Sequence, residues 1–243
     1  MRDTDRDWML IGKNEPYFGV LANTEYLNQN ITSETLNKFF ESGRRDVNAL
    51  LSTLNTHFNN FDPQIALDFG CGVGRMTIPI AENIQSVIGV DISDGMLNEA
   101  KKNIENFRLK NIKLYKSIPD DINYDWINSL IVFQHIPPQR GYYILQTLVE
   151  KLNSGGFISC HFTIFRDKKH LDELYRDVEC CKYDGNLIQI LSKSNQIEGE
   201  MSMYDYDINY LLSILTKHGM NSFLMQHTNH GGCHGIILFS RKD

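Results

Sequence analysis

Ala66-Leu67-Asp68-Phe69-Gly70-Cys71-Gly72-Val73-Gly74-Arg75 is an apolar run carrying one acid, followed by glycines at every second position. An amphipathic stretch comes next, and then a second apolar run, Val87-Ile88-Gly89-Val90, that ends in Asp91. Strand, glycine-rich turn, helix and a second strand tipped with a carboxylate is the order in which α/β proteins hold a nucleoside. Glycine serves in such a turn because φ > 0, or contact between backbone and ligand, leaves no room for a Cβ. The carboxylate at the tip of the second strand can accept hydrogen bonds from ribose hydroxyls. The stretch predicts an adenosine-type site.

The glycine spacing narrows the ligand. A dinucleotide site usually reads G-x-G-x-x-G and seats a pyrophosphate on the helix N-terminus. Here Asp68 stands two residues before the first of the alternating glycines. A carboxylate facing the ligand repels a pyrophosphate and suits an ammonium or sulfonium cation; S-adenosylmethionine carries both. The stretch resembles the first motif of the class I S-adenosylmethionine-dependent methyltransferases. Val90-Asp91-Ile92-Ser93 with Gly95-Met96-Leu97 is similar to that family's second-strand region. Ile131-Val132-Phe133-Gln134-His135-Ile136-Pro137-Pro138 is similar to the fourth-strand motif of its small-molecule branch, and Gly155-Gly156-Phe157-Ile158 to the turn into its fifth strand. The motifs follow in the family's order across residues 64–160.

Periodicity outlines the rest. Val47, Leu50, Leu51, Leu54 and Phe58 recur at helical spacing, which predicts a helix from Arg44 to Phe58, with Gly43 separating it from a shorter helix carrying Leu36, Phe39 and Phe40. Pro79 fits a helix that starts near Gly74 or Arg75, and Ser93 or Asp94 caps the next one. Ile112 to Tyr115 reads as a third strand, Trp126 to His135 as the fourth and Gly156 to Ile164 as the fifth. Pro137-Pro138 opens the helix between the last two. A helix over Asn209 to His218 and a closing strand pair, Ser222 to His227 and Gly235 to Ser240, complete the chain. Strands separated by helical crossovers imply a doubly wound, mostly parallel sheet with helices on both faces. With the resemblance, this becomes a single Rossmann-like methyltransferase domain over residues 1–243, with seven strands and the last antiparallel. Phe165 to Cys180 can form a charged helix, and residues 165–207 interrupt the alternation. They are expected, with the helices of residues 1–60, to cover the active site.

The resemblance implies roles at matched positions. Asp68 orients the turn and faces the methionine amino group; Gly70, Gly72 and Gly74 let the backbone approach the methionyl and ribose parts; Asp91 holds the ribose. Ile92 and Met96 pack beside the adenine, and Ser117 and Ile118 stand at its edge, where the family often has an acid. Arg75 and Phe133 complete the expected cofactor shell, although a helix cap suits Arg75 and a core position suits Met96 equally. S-adenosylhomocysteine is the product. Because the sulfonium already makes the methyl electrophilic, the protein has chiefly to align an acceptor behind it, and alignment can supply ~7–11 kcal/mol. A hydroxyl acceptor also needs a base, and His135 at the end of the fourth strand is the candidate; a histidine bonded to backbone for loop shape is the alternative. Tyr17, Phe18, Tyr26, Tyr204 and Tyr206 in the cover segments, and His161 on the fifth strand, can line an acceptor pocket or simply pack.

Composition bounds the partners. The 243 residues are 42% hydrophobic with net charge −6, enough apolar content for a substantial core and the wrong sign for a phosphate backbone. No apolar run approaches the ~18 residues of a membrane span, and the charged N-terminus lacks a signal-peptide core. Five cysteines without framework spacing suit reduced thiols and a cytoplasmic location. His227, His230, Cys233 and His234 offer imidazoles and a thiol, but their spacing matches no standard zinc module, so no metal is expected. The expected partner is a small-molecule acceptor. A nicotinamide-dependent oxidoreductase, a nucleoside-binding protein without turnover, and an RNA or protein methyltransferase are the competing readings.

Overall fold

The computed structural model describes residues 4–168, 178–183, 188–192 and 201–243, and they fall into two compact units, residues 1–128 and 129–243. The first begins with helices α1 (Thr4–Asn14), α2 (Pro16–Val20) and α3 (Ser33–His57). Then come β1 (Ile65–Phe69), α4 (Thr77–Ala81), β2 (Ser86–Val90), α5 (Asp94–Asn106), β3 (Ile112–Tyr115) and β4 (Tyr124–Ser129). β1 pairs in parallel with β2 and β4, and β2 with β3. Ala66, Leu67, Val87, Ile88, Trp126 and Ile127 on these strands are buried, the continuous apolar pattern of parallel strands covered on both faces.

The second unit holds α6 (Pro138–Glu150), β5 (Leu152–Arg166), β6 (Val178–Tyr183), β7 (Ile188–Ser192), α7 (Ile208–Lys217), β8 (Ser222–His230) and β9 (Cys233–Arg241). β9 runs antiparallel to both β5 and β8, with a bulge in β5 between Thr163 and Phe165. The seven-stranded sheet has the order β3-β2-β1-β4-β5-β9-β8, so the chain reverses direction across the sheet between β1 and β4. Ligands of open α/β sheets gather at the carboxyl ends of strands at that switch point. Mostly parallel strands, flanking helices and an antiparallel last strand match the expected fold class.

Three boundaries differ from expectation. Residues 33–57 form one unbroken helix, and Gly43 lies inside it. A Cβ on Gly43 would collide with the carbonyl of Arg75, so this glycine marks a close approach of α3 to the chain after β1 rather than a break. β4 ends at Ser129; Phe133–His135 form a 3-10 turn, and Ile131 sits at φ 61°, a left-handed conformation that a β-branched residue rarely takes and that ends the strand. Phe165 and Arg166 close β5 and Val178–Cys180 belong to β6, which replaces the expected helix at both its ends by strand; β6 pairs antiparallel with β7 as a separate ribbon. The middle of that expected helix, residues 169–177, lies outside the described residues. Ser93 caps α5 as expected, whereas α4 begins at Thr77 rather than near Gly74 or Arg75, with Pro79 in its first turn.

Candidate active site

The glycine turn hangs from the end of β2: Gly70 and Cys71 donate their backbone N–H groups to Val90 O at 2.8 and 2.9 Å. Gly72 N–H donates to Asp91 Oδ2 at 2.9 Å, and Ser93 N–H donates to Asp91 Oδ1 at 2.9 Å. One carboxylate thus ties the turn to the cap of α5. Gly72 has φ 52°, and a Cβ on it would lie 2.6 Å from Val20 Cγ2, so only glycine lets α2 close on the turn. Burial raises the Asp91 carboxyl to about 6, against the pull of its two N–H donors. Each oxygen retains a second lone pair for a further donor.

Asp68 is buried beneath the turn. Thr77 Oγ1 donates to its Oδ2 at 2.6 Å, and Asn128 Nδ2 donates to its Oδ1 at 3.0 Å. Burial raises its pKa, and these two donors, with the charge of Arg75, oppose the rise. Asp68 thereby joins β1, the start of α4 and β4. The Arg75 guanidinium turns towards α3, where Nη1 donates to Asp46 Oδ2 at 2.6 Å and to Ser42 Oγ at 3.2 Å. Met96 is buried under α1 and α2: Cβ atoms on Gly12 and Gly19 would lie 2.8 and 2.7 Å from its side chain. Ile92 and Ile118 are half-buried and Ser117 is exposed after β3. Tyr17 and Tyr26 both meet the edge of Phe39, and the Tyr17 hydroxyl donates to Asn103 Oδ1 at 3.1 Å. Phe18, on α2, is half-buried.

In the second unit the turn after β4 is held by the segment that precedes α7. Tyr204 N–H donates to Gln134 O, and Tyr206 N–H to Thr163 O, at 2.7 and 2.8 Å. The Tyr206 hydroxyl reaches Phe133 O at 2.9 Å and Ile136 O at 2.8 Å, and its ring covers Gly141 of α6. Phe133 is packed against Phe162 and Tyr206. His135 is buried with Nδ1 2.8 Å from Ser202 O and Nε2 3.0 Å from Gln134 Nε2. A ring nitrogen that faces a carbonyl must carry the proton, so Nδ1 donates and Nε2 accepts from the Gln134 amide. Burial lowers the His135 imidazole to about 4 and that of His161 to about 3.

The histidines of the closing hairpin sort by face. His161 meets His230 edge-on at 5.4 Å, whereas His234 stacks between His227 and Phe165. His227 Nε2 lies 2.9 Å from His234 Nδ1, and His234 Nε2 lies 2.9 Å from Asp167 Oδ1. Among the described residues no group of three or more His, Cys, Asp or Glu side chains could hold a metal ion. No helix among them is long and apolar enough to cross a membrane.

Residues 66–156, which carry the glycine turn, Asp91 and the turn after β4, match the family model described as "Methyltransferase domain". Magnesium protoporphyrin IX methyltransferase from Synechocystis PCC 6803, solved with S-adenosylhomocysteine, has the same fold: TM-score 0.67 and 17% identity over 99% of this chain and 100% of that one. Residues 66–156 thus carry a methyltransferase domain. The N-methyltransferase NodS from Bradyrhizobium japonicum WM9 is also similar in fold, with TM-score 0.57 and 13% identity over 95% of this chain and 98% of that one. By sequence, the domain is similar to the 23S rRNA (uracil(1939)-C(5))-methyltransferase RlmD of Aliivibrio fischeri, 29% identical over 111 residues, 43% of this chain and 25% of that protein. A probable cobalt-precorrin-6B C(15)-methyltransferase of Methanocaldococcus jannaschii is 34% identical over 58 residues, 24% of this chain and 32% of that protein. The chain thus spans between a quarter and a third of the length of these two curated relatives.

Sequence reasoning misses several residues around the candidate ones: Thr77 and Asn128 around Asp68, Gln134 beside His135, and Thr228 beside His161. Gln134 alone carried a signal, as the immediate neighbour of the candidate base. The others are common polar residues, and the partners of Asn128 and Thr228 lie 60 and 67 residues away along the chain.

Proposed function

We propose that the protein transfers the methyl group of S-adenosylmethionine to an oxygen or nitrogen of a small-molecule acceptor and releases S-adenosylhomocysteine. Residues 1–243 act in this reading as one methyltransferase domain, with 1–60 and 165–207 as covering segments. The observation that carries it is the glycine turn at the switch point, tied by the Asp91 carboxylate to the cap of α5 within the stretch that matches the methyltransferase model. Gly70, Gly72 and Gly74 would let the backbone meet the methionyl and ribose parts, and the spare lone pairs of Asp91 would take the ribose hydroxyls. Asp68, spent on Thr77 and Asn128, would shape the turn and bias it towards the ammonium and sulfonium charges. Ile92, Met96, Ser117, Ile118 and Phe133 would bound the cofactor, and Arg75 would support it through α3. The remaining candidates, Tyr17, Phe18, Tyr26, His161, Tyr204 and Tyr206, belong to the acceptor side.

His135 suits a general base in one respect. With its pKa near 4 it is neutral at physiological pH, and its lone pair sits on Nε2. It can take a proton from an acceptor hydroxyl once Gln134 releases that nitrogen, and the Ser202 carbonyl would stabilise the imidazolium formed. A small acceptor is favoured over RNA by the net charge of −6, which opposes a polyanion. It is also favoured by the full-length correspondence in fold with an enzyme named for magnesium protoporphyrin IX, a small molecule, against the partial match to the rRNA enzyme.

Calorimetry tests the cofactor half. S-adenosylhomocysteine is expected to bind and NAD is not; the reverse would sink the proposal. Counting methyl transfer from labelled cofactor to a small-molecule panel and to rRNA fragments tests the acceptor half, which fails if only RNA is labelled.

A further inference from the structure

His161 is fully buried in mid-strand β5 (0% exposed). The registers pair Thr163 with Gly235 on β9 and Gly235 with Thr228 on β8. Alternate residues share a face, so His161, Thr163, Gly235 and Thr228 lie on the same one. The imidazole crosses β9 over Gly235, where a Cβ would lie 2.7 Å from Nε2, and reaches Thr228 Oγ1 on the far strand at 2.9 Å. One ring nitrogen is pinned; the other, Nδ1, is buried and has no hydrogen-bond partner among the described residues. Such atoms are rare because an unsatisfied buried polar group is costly.

A second one stands in the same hydrogen-bonded layer. Gln134 is buried, and its Oε1 has no partner among the described residues. Its orientation is set by His135: the proton on Nδ1 faces Ser202 O, so Nε2 takes the amide N–H and Oε1 is left over. Gln134 O accepts from Tyr204 N–H and Tyr204 O accepts from Thr163 Oγ1, which links Gln134 to β5 two residues from His161.

We propose that His161 Nδ1 and Gln134 Oε1 form the polar end of the acceptor subsite and recognise an O–H or N–H donor group of the methyl acceptor, discriminating against carboxylates and phosphates. This rests on the methyl-transfer reading above. Oε1 can only accept, so the group it meets must donate. Neither histidine supplies a positive charge near neutral pH, because burial holds both imidazoles in the uncharged form. An anion entering here would shed its water and gain no positive charge from either histidine in return. A hydroxyl or amine can donate to Oε1, and a donor hydrogen or a hydroxyl lone pair suits Nδ1. Thr228 and Gly235 are positioning residues, the first pinning the ring and the second making room for it.

The test uses the full chain saturated with S-adenosylhomocysteine and 15N-labelled at its histidine rings. Phenol, aniline, benzoate and phenyl phosphate serve as matched probes. The His161 signals are those missing from His161→Asn. Phenol and aniline are expected to shift them and to bind at least about tenfold more tightly than the two anions, the scale of one buried hydrogen bond. Thr228→Val, which keeps the volume and frees the ring, is expected to erase that preference while cofactor affinity stays unchanged; Gln134→Leu should do the same. Equal or tighter binding of the anions overturns the proposal, as do His161 signals that no probe moves or a preference that survives in Thr228→Val. Failure of S-adenosylhomocysteine to bind overturns the methyl-transfer reading as well. A bound cofactor product with a silent His161 overturns this inference alone.

Discussion

Asp91 is the residue whose chemistry is easiest to test alone. Its carboxyl, raised to about 6 by burial, is protonated at mildly acid pH, whereas a free aspartate ionises near 3.9. The charged form is the one that accepts from Gly72, Ser93 and, in the proposed complex, the ribose. The acid limb of kcat/KM for the cofactor is therefore expected near pH 6, since that ratio reports the free enzyme. In Asp91→Asn the limb should disappear, with S-adenosylhomocysteine binding weakened by at least about tenfold in calorimetry. A wild-type profile flat down to pH 5 would contradict the assignment. Asp91 was legible in the sequence because a carboxylate ending an apolar run is a local pattern. Asn128, which supports Asp68 from 60 residues away, carries no such pattern. Asparagines are common, and only the parallel register of β1 with β4 singles this one out.

At the scale of elements, glycines decide how closely helices approach the sheet. Propensity favours alanine over glycine in a helix interior by up to ~1 kcal/mol, so Gly43→Ala would stabilise an isolated α3. In the folded protein the new Cβ meets the backbone carbonyl of Arg75, which cannot rotate away as a side chain could. Overpacking costs ~1–3 kcal/mol, and it should win: urea unfolding of Gly43→Ala is expected to show a net loss, and a gain would refute the contact. Gly95 plays the same part at the start of α5, where a Cβ would strike the Gly12 carbonyl of α1. Gly95→Ala is expected to loosen α1 and speed proteolysis within residues 4–14. A sequence shows that Gly43 interrupts a helical pattern. It does not show what passes beside it, and so the expected break is a crossing point.

At the scale of the whole molecule, the buried histidines and carboxyls give opposite dependences on pH. His135 and His161 have folded values near 4 and 3, below the ordinary 6.5, so the stability they contribute is complete above pH 6.5 and is lost as pH falls through those values. Asp91, raised to about 6, contributes in the other sense: stability present below about pH 4 is lost as pH rises through 6. The two histidine shifts together exceed the one of Asp91. The melting temperature is therefore expected to fall on acidification from pH 6.5 to 4, and His161→Asn should show a shallower fall than the wild type. An unchanged slope in the variant would mean that His161 does not titrate as a buried group.

What the sequence determined by itself was local and ordered: the period of its apolar residues, the spacing of its glycines and the succession of strand and helix. Those follow from backbone geometry and neighbour contacts, and they suffice for the fold class and for marking the glycine turn and Asp91 as the place to look for a ligand. Tertiary structure alone decided which polar atoms meet. The pairing of His161 with Thr228, 67 residues apart, depends on the register of three strands and a glycine between them. The atoms left without partners among the described residues, Gln134 Oε1 and His161 Nδ1, exist as a feature only once every other hydrogen bond in the layer has been made. A hydrogen bond is satisfied over a few tenths of an ångström, and no local pattern along a chain specifies a distance that fine.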